Sequence, residues 1–168
     1  MTGVSSSHDT AISAWDRYTE LHERFELVKL LGEGAGGIVF QVKDREHELE
    51  EVALKILINP DAFDEQTVRR FKEEVKISQQ LCHPSAIRGF EVVEIGNVLA
   101  FTMEVVRGLD LGRIFRNRSL SNNEIDYIFT QILGALRELH SKGVLHRDIK
   151  LENIMVSDDG EVKLTDLG

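Results

Sequence analysis

The sequence predicts an α+β fold in two parts: five strands and one helix, then a mainly helical segment that closes on a short hairpin. Three observations carry this. Short apolar runs broken by glycine turns fill most of the chain from Phe25 to Met103. A helical period replaces them over Glu65–Leu81 and again from Ser121 to about Lys142. The change from strand pattern to helix pattern falls near Arg107-Gly108.

The elements follow in order. Residues 1–24 start polar and Ser-rich, with no sustained period. They read as an N-terminal tail that ends in a short helix at Thr19–Arg24. Phe25, Leu27, Leu30 and Leu31 then lead into Gly32-Glu33-Gly34-Ala35-Gly36-Gly37, and Ile38–Val42 resumes the apolar run, giving strand, glycine turn, strand. Glu46–Glu51 is a charged turn. Val52–Ile58 is a third strand, apolar except for Lys55. Asn59-Pro60-Asp61 breaks it. Val68, Phe71, Val75 and Leu81 form the stripe of a helix, and His83-Pro84-Ser85 ends it. Ile87–Ile95 and Val98–Met103, split by Gly96-Asn97, read as a hairpin. Ser121-Asn122-Asn123-Glu124 is a capping box. It opens a helix with Ile125, Ile128, Phe129, Ile132, Leu133, Leu136 and Leu139 at helical spacing, which Ser141-Lys142-Gly143 stops. Ile154–Val156 and Val162–Leu164, joined by Ser157-Asp158-Asp159-Gly160, make the closing hairpin.

Composition narrows the function. The chain has 168 residues, 42% hydrophobic and only 2 Pro, which describes a folded protein. Its net charge of −9 argues against nucleic acid or an anionic membrane as partner. A few local donors can still build a phosphate pocket. The single Cys82 excludes an internal disulfide and a cysteine metal cluster, so a reducing, cytoplasmic compartment is expected. No apolar run reaches the roughly 18 residues of a membrane span. The start, MTGVSSSHDT, lacks the features of a signal peptide.

The glycine turn lets backbone N–H groups approach phosphate oxygens, although alone it is more often a plain hairpin. A dinucleotide fold needs a helix after the glycines, whereas Ile38-Val39-Phe40 reads as strand. No Gly-Lys-Ser/Thr follows, which excludes a P-loop. Lys55 inside an apolar strand is costly unless paired or turned to solvent, and taken alone the solvent-facing reading is preferred. Glu74 is a candidate partner, or one more charge on a solvated helix face. The densest chemistry is His146-Arg147-Asp148-Ile149-Lys150-Leu151-Glu152-Asn153. Here Asp148 can accept a hydroxyl proton, Lys150 can hold a transferring phosphoryl group, and Asn153 can ligate a metal. Asp166, just past the last strand, offers a carboxylate suited to Mg²⁺.

Taken together these segments resemble the eukaryotic-type (Hanks-type) serine/threonine protein kinases. Gly32–Val39 matches GxGxxGxV, Val52-Ala53-Leu54-Lys55 matches the VAIK strand, His146–Asn153 matches the HRD loop, and Asp166-Leu167-Gly168 matches DFG with Leu for Phe. The resemblance runs from about Phe25 to the last residue. It implies a five-stranded antiparallel sheet with one helix over 25–106 (N-lobe) and an incomplete, mainly helical C-lobe over 107–168. It implies ATP and Mg²⁺ as cofactors and a Ser or Thr hydroxyl of a protein as acceptor. Gly32, Glu33, Gly34 and Gly37 would cover the phosphates, and Lys55, paired with Glu74, would hold the α- and β-phosphates. Val39, Ala53 and Met155 would sandwich adenine, Glu104 and Val106 would meet its edge, and Met103 would be the gatekeeper. Asp110 would contact ribose. Asp148 would be the base and Lys150 the γ-phosphate contact, with Asn153 and Asp166 as metal ligands.

Departures are expected to matter. Gly36 stands where an aromatic often caps the loop, and Ser78 and Gly89 stand where the family stacks apolar side chains behind the helix. The chain stops at Gly168, before any activation loop or APE segment. The chain as written is therefore expected to be inactive toward protein substrates. The apolar face of the 121–142 helix is expected to stay partly in water. A noncatalytic ATP-binding or partner-binding module is the alternative.

Overall fold

A computed structural model describes residues 11–34, 37–48, 50–57 and 65–166. The expectations for the first ten residues, Ala35, Gly36, Ile58, Asn59-Pro60-Asp61, Leu167 and Gly168 lie outside them. The chain divides into two compact units. The first runs through Lys72 and takes Phe90–Val105; the second holds Glu73–Gly89 and the chain from Val106 on. The helix expected inside the N-lobe is shared between the units.

The first unit is a five-stranded sheet built from β1 (Phe25–Gly34), β2 (Gly37–Asp44), β3 (Glu50–Ile56), β4 (Gly89–Ile95) and β5 (Val98–Met103), in the order β1-β2-β3-β5-β4. Pairing of β1 with β2, β2 with β3 and β3 with β5 is antiparallel. Successive side chains of a strand alternate between faces. Ile38, Phe40 and Val42 therefore join Val52, Leu54 and Ile56 on one face, where Phe25, Val93, Val98 and Ala100 complete a buried core. The other face carries Val39, Ala53, Lys55, Phe101 and Met103, as the register of β2, β3 and β5 requires.

The N-terminal segment corrects the reading of a tail. Residues 11–15 form a short helix, α1, and Ala14, Trp15 and Leu21 belong to the sheet's core. Ala11, Ala14, Trp15 and Tyr18 do repeat at helical spacing, a period too short to stand out among the polar residues around it. The helix expected at Thr19–Arg24 is only a 3-10 turn, Thr19–Leu21. Past it residues 22–24 turn, and Arg24 reaches Asp44 with two hydrogen bonds of 3.0 and 2.7 Å. Arg24 also pairs with Glu46 at 3.1 Å and with Glu91.

Helix α2 (Glu65–Gln80) follows the third strand. In the first unit its Phe71 meets Phe101 edge-on, with ring centroids 5.3 Å apart.

The second unit contains β6 (Gly108–Asp110), α3 (Leu111–Asn117), α4 (Asn122–Ser141), β7 (Ile154–Ser157) and β8 (Val162–Leu164). The closing hairpin is a three-stranded sheet, β6-β7-β8, because Gly108–Asp110 pairs antiparallel with β7. Three residues carry too little pattern to announce a strand. The capping box is formed as expected: Ser121 and Glu124 satisfy each other's backbone N–H groups. At the other end the Val144 N–H reaches the Leu139 carbonyl at 3.0 Å and closes the helix. Ile128, Ile132, Ala135 and Leu139 pack against Leu81, Ala86, Ile154 and Leu164.

The turn after α2 is held on α4 by a carboxylate. Glu138 accepts the backbone N–H of Cys82 at 2.9 Å and of His83 at 2.6 Å. Gly134 explains itself here, since a Cβ would stand 2.4 Å from His83 Nε2. The expectation for the outer face of α4 is met in part. Phe129 and Leu133 are 63% and 60% exposed and line an apolar groove of about 410 Å³ with Leu120, Ile125 and Ile149. No helix among the described residues is long and apolar enough to cross a membrane.

Candidate functional site

In the first unit the glycines flank the closed end of the β1–β2 hairpin, with Gly32 opposite Val39, Glu33 opposite Ile38 and Gly34 opposite Gly37. The glycines differ in why they are glycine. Gly37 has φ +124°, and a Cβ there would lie 2.3 Å from the Ile56 carbonyl oxygen, so the fold itself demands it. Gly32 and Gly34 have nothing within 4 Å of where a Cβ would sit. Packing among the described residues gives no reason for them.

On the sheet face away from the core, Val39 pairs with Lys55 and Ala53 with Met103. Lys55 is 6% exposed, which corrects the solvent-facing reading of this residue. Its ammonium lies 5.7 Å from the centre of the Phe101 ring, a cation–π contact that the sequence pattern did not single out. Glu104 continues from β5 as half-buried chain.

In the second unit the segment 146–153 is a loop between α4 and β7 whose geometry is set by hydrogen bonds. Lys150 Nζ donates to Asp148 Oδ2 at 2.6 Å. Asn153 Nδ2 donates to the same oxygen at 3.0 Å and to the Asp148 carbonyl at 2.8 Å. The Lys150 ammonium, then the Asn153 amide, hold the Asp148 carboxyl below the usual carboxylate range, and Asp148 in turn raises the pKa of Lys150. Arg147 takes φ +65° and Asp166 φ +54°, strained values for non-glycine residues that are shared among the described residues only with Glu48 of the first unit.

Thr165 ties the end of β8 to the loop. Its N–H donates to the Asn153 carbonyl at 2.9 Å, and its carbonyl lies 2.9 Å from His146 Nε2. Asp166 is therefore carried next to the loop that holds Asn153. His146 is buried, and burial lowers its pKa. The neutral ring donates from Nε2, while Nδ1 lies 3.3 Å from the Asp148 N–H. His146 and Thr165 are the residues that sequence reasoning left without a role. A histidine at the head of a polar loop was the available signal; nothing marked Thr165. The donors suit a hard cation: the Asn153 amide nitrogen is committed to Asp148, and the Asn153 side-chain oxygen and the Asp166 carboxylate are oxygen ligands of the kind such a cation takes.

Asp110 ends β6 and caps α3. Its carboxylate accepts the Arg113 N–H at 2.8 Å and pairs with Arg113 Nε at 3.1 Å. Met155 lies opposite Asp110 on β7, and Val106 precedes β6 as half-buried chain. Glu74 lies on the part of α2 that belongs to the second unit. Ser78, one turn on, is buried and directs its hydroxyl to the Val75 carbonyl at 2.7 Å. Gly89 sits directly against it: a Cβ there would lie 2.0 Å from Ser78 Oγ. The two departures from the apolar stack are thus one contact between small residues.

Comparison with known proteins agrees with this geometry. The protein kinase domain family matches residues 25–168. CBL-interacting protein kinase 19 of Oryza sativa subsp. japonica is 36% identical over 146 residues, which are 86% of this chain and 28% of the relative. The probable serine/threonine-protein kinase PknB of Lactococcus lactis is 35% identical over 147 residues, 87% of this chain and 23% of the relative. The crystal structure of the Mycobacterium tuberculosis PknI kinase domain superposes with a TM-score of 0.73 at 29% identity, covering 85% of this chain and 59% of that one. This chain therefore spans less than a third of the length of these two curated relatives. The glycine hairpin, the buried Lys55 and the 146–153 loop agree with one conclusion: the chain belongs to the protein kinase domain family.

Proposed function

We propose that this chain binds Mg·ATP and supplies the nucleotide and catalytic groups of a protein kinase that transfers the γ-phosphoryl group to a Ser or Thr hydroxyl of a protein. The observation that supports this most is the Asp148–Lys150–Asn153 cluster, tied through Thr165 to Asp166. In this reading Gly32, Glu33, Gly34 and Gly37 lie over the phosphates, and Lys55, paired with Glu74, holds them. Val39, Ala53 and Met155 enclose the adenine. Met103, Glu104 and Val106 line its edge, and Asp110 lies toward the ribose. Asn153 and Asp166 hold Mg²⁺, which when bound neutralises charge on the phosphates.

The residues then divide the work by charge. Asp148, ionised at neutral pH and held further below its ordinary range by Lys150 and Asn153, orients the acceptor hydroxyl and takes its proton. Lys150, hydrogen-bonded to Asp148 at 2.6 Å, stabilises negative charge on the transferring group. Positioning and charge supply most of the rate, since phosphoryl transfer needs little covalent help.

The test compares two variants in the protein carrying the whole kinase domain. Lys55→Met abolishes nucleotide-dependent phosphorylation. Asp148→Asn lowers turnover by about 10²–10⁴-fold and leaves the Mg·ATP dissociation constant nearly unchanged. Unchanged turnover in Lys55→Met, or loss of nucleotide binding with turnover retained in Asp148→Asn, refutes the assignment.

A further inference from the structure

Residues 11–24 precede the stretch that the protein kinase family matches, yet they are built into the first unit. The indole of Trp15 is 5% exposed. It stacks on His22 at 5.1 Å and 14°, and meets Phe40 edge-on at 5.0 Å and 72°. Tyr18 meets the same Phe40 at 6.4 Å. Phe40 is fully buried in the middle of β2, opposite Leu30 of β1 and Leu54 of β3. Its neighbour Val39 points to the other face, with Lys55. The segment therefore grips the back of the strands whose front carries the candidate nucleotide residues.

Its ends are tied as well. Arg17 lies 3.9 Å from Glu33 at the glycine end of β1. Glu20 packs against Gly96 in the β4–β5 turn. At the far end Arg24 joins Asp44 and Glu91, and the Arg45 guanidinium donates to the carbonyls of His22 at 2.8 Å and Glu23 at 3.1 Å. The segment thus touches β1, β2 and β4. β1 is the edge strand of the sheet, and within the sheet its one neighbour is β2.

We propose that residues 11–24 are a strap that sets the pitch of the β1–β2 hairpin over the nucleotide, with Trp15 as its positioning residue. This rests on the Mg·ATP reading above. Without the indole, the hairpin samples positions in which Gly32 and Gly34 no longer meet the phosphates. The apparent affinity then falls in proportion to the fraction of competent hairpins.

The test uses the full 168-residue chain as wild type, Trp15→Ala and Trp15→Phe. Each is titrated with Mg·ATP by calorimetry and followed by hydrogen exchange. If the competent fraction falls to about one tenth, Trp15→Ala raises the dissociation constant about tenfold. Exchange then quickens in Leu27–Gly34 and Gly37–Gln41 but not in Val98–Met103, and Trp15→Phe recovers most of both effects. Wild-type affinity and hairpin exchange in Trp15→Ala overturn the proposal. So does exchange that quickens equally in every strand, which marks a general loss of stability. A wild-type chain that binds no Mg·ATP refutes the nucleotide reading. Selective hairpin exchange then still supports the strap, and unchanged exchange overturns it too. Should Trp15→Ala fail to fold, Tyr18→Leu removes a ring from Phe40 while keeping bulk, and the same two readouts decide.

Discussion

Adding one methyl group to each glycine of the β1–β2 turn separates what the fold needs from what a ligand needs. Gly37→Ala puts a Cβ 2.3 Å from the Ile56 carbonyl oxygen and 3.2 Å from its carbon, at φ +124°. Holding a non-glycine residue in that region costs about 1–3 kcal/mol. The overlap is with strand backbone one residue beyond Lys55, which cannot rotate away, and overpacking of this kind adds about 1–3 kcal/mol. Together these are a large share of the roughly 5–15 kcal/mol that holds a domain folded. Gly32 and Gly34 have no positive φ, and nothing lies within 4 Å of where a Cβ would sit. Alanine there is expected to raise stability by about 0.4–1 kcal/mol, because the unfolded chain loses freedom. Its methyl group nevertheless stands where phosphate oxygens must approach the backbone. Urea unfolding and Mg·ATP titration of the three variants test this. Gly37→Ala lowers the unfolding midpoint, whereas Gly32→Ala and Gly34→Ala keep or raise it and bind Mg·ATP more weakly. A wild-type midpoint for Gly37→Ala refutes the steric argument. Wild-type affinity in both other variants refutes the ligand argument.

Three further outcomes are expected. Arg24→Leu takes the guanidinium from the Asp44 carboxylate, which is 2% exposed and keeps the Glu46 N–H and the His47 ring, and costs up to about 3–5 kcal/mol by denaturation; the double variant Arg24→Leu/Asp44→Leu recovers part of it, and a single-variant cost below about 1 kcal/mol would mark an ordinary surface pair. Glu138→Ala leaves the Cys82 and His83 N–H groups without their carboxylate, costs about 1–3 kcal/mol, and quickens hydrogen exchange at these two amides; unchanged exchange would show that the turn holds without Glu138. Burial keeps the folded-state pKa of His146 below its ordinary 6.5, so on acidification the unfolded chain takes up this proton first and stability falls as pH drops through and below 6.5; His146→Gln should flatten the slope of unfolding free energy between about pH 7.5 and 5.5, and an unaltered slope would assign it to other groups.

Much of this protein was legible in the sequence because its signals are local. A glycine turn between apolar runs makes a hairpin whatever surrounds it, and Ser121 with Glu124 makes a capping box within a single turn of chain. Asp148, Lys150 and Asn153 lie within six residues, so one short loop brings them together. The strands of the first unit and the 122–141 helix accordingly lie close to where the pattern put them.

What the sequence could not determine depends on partners far along the chain. Lys55 looks like a solvent-facing lysine until β5 brings Phe101 beneath it. Ser78 and Gly89 look like two separate losses of apolar packing until α2 and β4 meet and make them one close contact. Residues 11–21 look like tail because a few apolar side chains in a polar stretch cannot form a core alone. They become structural only when the sheet offers Phe40 and Leu54 as a surface to cover. Local hydrogen bonding and periodicity are written residue by residue, whereas burial belongs to whatever the folded chain brings opposite, and that is a property of the tertiary structure alone.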